Sequence, residues 1–101
     1  MDNRFGFALV TEKGRTYKFD DMNCLKGFIR EESPVIAQVY TAIFDKPGML
    51  VKVESVFYIQ SNELKSPMGS GVAAFSSQDV CKVNENKFHA FCATYAQLIS
   101  K

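Results

Sequence analysis

The sequence predicts an α+β fold, and three observations carry that prediction. Short runs of β-branched and aromatic residues recur along the chain, as in Phe5–Val10, Val35–Phe44 and Val56–Ile59. Two cap signals, Asp20-Asp21 and Ser76-Ser77, each open a stretch with apolar residues at helical spacing. The order of strand or strand pair, cap, helix and strand then recurs faintly in each half. At 101 residues the chain is the size of one domain, here taken as 1–101, and too short for two separate cores.

Taken in order, Phe5–Thr11 and Arg15–Asp20 read as strands joined by the turn Glu12-Lys13-Gly14. Tyr17 and Phe19 share one side of the second strand, with Thr16 and Lys18 on the other. Asp20 or Asp21 caps a helix from about Met22 to Arg30, whose apolar stripe is Met22, Leu25, Phe28 and Ile29. Pro34 stops it, because the residue before proline avoids the helical region. Val35–Phe44 is a long strand and Asp45-Lys46-Pro47-Gly48 a turn. Met49–Glu54, Ser55–Ile59 and Val72–Phe75 follow as strands, and a helix starts near Gln78. The end of the chain fits either one long helix or a strand over Phe88–Cys92 with a short helix capped by Thr94.

Composition excludes several functions. Hydrophobic residues make up 47% and charged residues 23%, which a disordered chain would not show. Twelve basic and eleven acidic residues leave a charge of +1 with no long block, so there is no footprint for nucleic acid or an anionic membrane. No apolar run reaches the length of a membrane span. Met1 is followed at once by Asp2-Asn3-Arg4, without a signal peptide, and any leader or anchor is expected upstream. Cys24, Cys81 and Cys92 have no C-x-x-C spacing. They leave room for one bridge, Cys81 with Cys92, and at least one thiol over.

The stretch that organises the chain is Val56–Phe75. Two apolar runs enclose Pro67-Met68-Gly69-Ser70-Gly71, where proline fixes one side of Met68 and glycines clear the other. The plain reading of Met68 is a core filler. The chemical reading joins it to Cys24, which sits in the first helical turn where the dipole favours negative charge. Thiolate and thioether together select Cu(I), and Met22, Met49 and His89 are the other soft or borderline donors. Cys24 read plainly is a small buried hydrophobe, and His89 a structural or surface imidazole. A thiol enzyme would need His89 beside Cys24, and no nucleophile signature surrounds either. Asp20-Asp21 is explained by capping. A metal-free binding module is the remaining class.

Three segments resemble the NosL family, the accessory copper proteins of nitrous oxide reductase. Gly14-Arg15-Thr16-Tyr17-Lys18-Phe19-Asp20-Asp21-Met22-Asn23-Cys24-Leu25 is similar to that family's G-K-x-Y-x-F-D-D-x-x-C-x segment. Phe57-Tyr58-Ile59 followed by Lys65-Ser66-Pro67-Met68-Gly69-Ser70-Gly71-Val72-Ala73-Ala74-Phe75 resembles Y-Y-V…K-T-P-M-G-x-G-x-x-A-F, and Asp2-Asn3-Arg4-Phe5-Gly6 resembles a segment near the family's start. Beyond Ser77 the match is loose. The resemblance implies an α+β fold of two similar small ββαβ-like halves packed as one domain, related to the organomercurial lyase fold. Fold kinship alone does not carry lyase chemistry.

It further implies a lipid-anchored periplasmic or cell-surface protein that binds Cu(I) and delivers it to a copper-receiving apoprotein, such as nitrous oxide reductase. Cys24 and Met68 stand at the matching positions as the metal ligands, with Asp20 and Asp21 as capping or outer groups. The family's C-x-x-C-x-M motif has no counterpart before Asp2, and Met1 stands too close to supply its methionine. Two expectations follow: a copper site completed by residues upstream of Met1, or a relative that keeps the fold without the copper.

Overall fold

The computed structural model describes residues 4–100. Asp2 and Asn3, part of the N-terminal resemblance, lie outside them. The apolar run after Gly6 becomes β1 (Phe7–Thr11), which returns through the Glu12–Gly14 turn into β2 (Thr16–Phe19). The register pairs Phe7 with Phe19 and Leu9 with Tyr17, so the period-2 apolar residues of both strands share one face. Asp21 then caps α1 (Met22–Glu32), whose Met22 and Leu25 are fully buried. Phe28 stacks on Tyr17 and Phe19 at ring separations of 4.6 and 5.3 Å. The helix outlasts its expected end at Arg30. Ser33 takes the left-handed conformation (φ 44°) instead of the extended one favoured before proline, and its N–H closes on the Ile29 carbonyl.

β3 (Ile36–Ile43) pairs with the other side of β1, and β4 (Lys46–Lys52) with β3, giving an antiparallel sheet in the order β2-β1-β3-β4. The turn lies earlier than Asp45–Gly48. The chain reverses at Phe44-Asp45, Lys46 already pairs with Ile43, and Gly48 (φ +93°) sits inside the strand beyond a register shift. Asp45 explains the displacement. Its carboxylate accepts from the Ser76 N–H and hydroxyl at 3.0 and 2.6 Å, which pins the reversal to the second half of the chain.

The expected strand over Ser55–Ile59 is shorter. Val53–Ser55 forms one 3₁₀ turn, and β5 (Phe57–Gln60) then pairs with β6 (Val72–Phe75). This two-stranded sheet is the hinge of the core. Tyr58, Val72 and Ala74 face a cluster with Phe7, Leu9, Met22, Leu25 and Val39, while Ile59, Ala73 and Phe75 face a second cluster with Phe5, Leu64, Cys81 and Phe88. Burial on both faces is why β6 reads as an unbroken apolar run.

Ser77 caps α2 (Gln78–Phe88), and Thr94 caps α3 (Tyr95–Ile99) in a reciprocal capping box with Gln97. The C-terminal segment is therefore broken, but no strand forms over Phe88–Cys92. His89 ends α2 in the left-handed region, Glu85 accepts from the Cys92 N–H at 2.8 Å, and Cys81 and Cys92 are joined by a disulfide. Those bonds occupy the segment, and strand pairing shrinks to one bridge, Ala93 with Tyr58. The repeat remains visible. β1 lies between β2 and β3, and β5 lies between β6 and the Ala93 bridge, so the second ββαβ-like half differs from the first by a last strand reduced to one residue. No described helix is long and apolar enough to cross a membrane.

Tyr58 ties these parts together, with its hydroxyl donating to the Val53 carbonyl at 2.6 Å. Burial, with the charges of Tyr95 and Glu54 adding to it, raises its pKa; burial and Glu54 push Tyr95 up to about 12 from 10.0. The folded state holds these protons more tightly than the unfolded chain. Stability is thus unaffected below pH 10.0 and falls as pH rises through that value toward about 12. Alkaline titration followed by circular dichroism should show unfolding begin above pH 10.0, and Tyr95→Phe should blunt the onset.

Candidate metal-handling site

The loop between β5 and β6 begins where the Ser61 N–H meets the Gly71 carbonyl at 2.8 Å. Gly71 has φ +66°, and a Cβ there would lie 2.3 Å from the Ser61 carbonyl oxygen. Only glycine fits so close a backbone crossing. Gly71→Ala should destabilise the protein by about 1–3 kcal/mol, the usual cost of such strain, read as a lower melting temperature.

Within this loop Ser66 and Ser70 turn their hydroxyls inward and meet a carboxylate from α1. Asp21, with no exposed surface, uses one oxygen for the Met22 N–H at 2.8 Å and for the Ser70 hydroxyl. The other oxygen accepts from the Ser66 hydroxyl at 3.1 Å and from the Met68 and Ser70 N–H groups, both at 3.0 Å. Asn23 adds a bond from its amide to the Met68 carbonyl at 3.0 Å. The Pro67–Gly69 tip is thereby fastened to the N-terminal turn of α1, the turn that carries Cys24.

Cys24 is half-buried and is the one free cysteine among the described residues. Met68 is 60% exposed, which overturns the core-filler reading: its backbone is anchored and its thioether is left to solvent. The other soft donors are elsewhere. Met22 is 2% exposed, inside the core. Met49 lies on β4 and, with Gly6, Phe19, Asp20 and Leu50, lines a groove of about 600 Å³. His89 pairs through Nδ1 with Glu63 at 2.5 Å, so its hydrogen bond goes to a carboxylate and not to the Cys24 thiol. Among the described residues no group of three His, Cys, Asp or Glu side chains gathers to hold a metal ion.

Cys24 and Met68 lie on the two segments that meet, and the residues that join those segments leave little mark in the sequence. Ser66, Ser70 and Asn23 attract no notice as single polar residues. The signal available was a pair of serines four apart bracketing Pro-Met-Gly, with two aspartates at one helix start where a cap needs one.

No family model and no curated protein matches the chain. The architecture nonetheless defines a class: a NosL-like α+β domain with two antiparallel sheets and three helices. The structure it resembles is that of the copper chaperone NosL from Shewanella denitrificans, with a TM-score of 0.78 over 92% of this chain and 78% of that chain. Identity is 12%, so the likeness is one of fold.

Proposed function

We propose that this protein is a Cu(I)-binding accessory protein, a copper chaperone acting from one NosL-like domain over residues 1–101. The observation that carries the reading is the loop clasp. It sets an exposed thioether, Met68, beside the helix turn bearing the free thiol of Cys24. Sulfur donors of this kind favour Cu(I), which accepts two or three ligands and needs no carboxylate cage.

Copper is cargo in this reading. An incoming thiolate, thioether or imidazole of a copper-receiving apoprotein bonds to the metal, and Met68 or Cys24 then leaves it, with no change of oxidation state. An exposed methionine permits that approach. Further ligands come from the partner. The protein is not an enzyme in this reading, and nitrous oxide reductase is the proposed recipient. The Cys81–Cys92 disulfide supports an oxidising compartment, periplasmic or at the cell surface, and a lipid anchor is part of the same proposal without an observation of its own. An anaerobic Cu(I) titration against a colorimetric chelator tests the reading. Tight one-to-one binding by this chain, or by one extended upstream, is expected. No binding by either would leave a metal-free partner-binding module.

A further inference from the structure

The Asp21 carboxylate is costlier than a helix cap requires. Serine or asparagine at the same position caps as well, and one acceptor bond, to the Met22 N–H, does that work here. A fully buried carboxylate costs several kcal/mol unless it is compensated. The compensation comes from the β5–β6 loop, which supplies four of the five donors: both serine hydroxyls and the Met68 and Ser70 N–H groups. Each hydroxyl also accepts from the backbone, Ser66 from the Gly71 N–H at 3.0 Å and Ser70 from the Val72 N–H at 3.2 Å, so the loop is knitted around the charge.

We propose that Asp21 is a positioning residue for copper: its carboxylate fixes Met68 against the α1 turn that carries Cys24. This rests on the copper reading above. Both candidate ligands then take their placement from one side chain, which caps the helix of the first and grips the loop of the second. A serine at position 21 separates these duties, since it reaches the helix N–H groups and is too short to hold the loop.

The experiment compares wild type, Asp21→Ser and Ser77→Ala. Ser77 caps α2 by accepting from the Val80 N–H at 3.2 Å, and its loss costs about 1 kcal/mol without touching the loop. Three readouts are taken on each protein: Cu(I) affinity, the number of sulfur neighbours of bound copper by X-ray absorption, and hydrogen exchange at the Met68 and Ser70 amides. For Asp21→Ser, affinity should fall roughly 10–100-fold, the usual effect of losing an outer-shell partner. Copper should lose a sulfur neighbour, and both amides should exchange at least tenfold faster. Ser77→Ala should lower the melting temperature and change none of the three.

Wild-type affinity and sulfur count in Asp21→Ser would overturn the proposal, as would an equal loss in Ser77→Ala. If wild type binds no copper, the functional reading fails; unchanged exchange in Asp21→Ser would then overturn the clasp as well, and faster exchange would uphold it as a loop anchor. Should Asp21→Ser not fold, Ser70→Ala removes one arm of the clasp and leaves the α1 cap in place.

Discussion

Cys24→Ala should abolish tight Cu(I) binding while leaving the fold almost untouched. The cysteine is half-buried at the third residue of α1, and alanine is a better helix former, so the structural cost should stay below about 1 kcal/mol. Affinity should fall more than the roughly 10–100-fold typical of outer-shell changes, because a charged donor itself is lost. Met68→Ala should weaken binding less, since a neutral thioether contributes less than a thiolate, and it should speed transfer to a competing chelator. An exposed side chain whose backbone is held by Asp21 and Asn23 can be truncated without loosening the loop. Equal affinities for wild type and Cys24→Ala would move the metal, if any, to other residues.

The local placement of Cys24 and Met68 was legible for a simple reason: both are written in local sequence. A cysteine three residues past a capping aspartate lies in a first helical turn whatever surrounds it. Proline before Met68 and glycine after it limit the backbone there in the same local way. Whether Met68 faces in or out is not local. It depends on Asp21 lying 47 residues earlier and gripping the Met68 N–H, a pairing that periodicity cannot express. The same divide runs through the fold. The strands β1, β2 and β3, the unbroken apolar run of β6 and the caps at Asp21, Ser77 and Thr94 follow from local apolar patterning and cap chemistry. The reversal at Phe44-Asp45 does not, because Ser76 decides it from 31 residues away. Nor does the lost strand at Phe88–Cys92, where a disulfide and the Glu85 carboxylate outcompete pairing.

Breaking that disulfide should be the most damaging single change to stability. Cys81 is fully buried in the cluster with Phe75 and Phe88, and the bridge closes a separation of 11 residues. Chain-entropy arguments give about 3 kcal/mol for a loop of that size. In a domain this small that corresponds to a fall in melting temperature of roughly 10–20 °C. The loss should be local in origin. Residues 90–92 make no strand ladder, so without the bridge the Ala93–Tyr58 pairing and α3 are held mainly by the Glu85 bond and the Leu98 contact with the first cluster. None of the Asp21 bonds involves residues 81–92; the loop meets the end of α2 away from Met68, through the Ser61 hydroxyl on the Phe88 carbonyl at 2.7 Å, the Glu63 pair with His89 at 2.5 Å, and Leu64 packed with Phe88. Reductant should therefore lower the melting temperature of Cys24→Ala by the stated amount, a background chosen so that no third thiol can exchange with the bridge. In the Cys81→Ala/Cys92→Ala protein, Cu(I) affinity at 25 °C should stay within a few-fold of wild type. A large affinity loss there would mean that the Met68 loop draws its order from α2, and the clasp on Asp21 would no longer suffice to explain its placement.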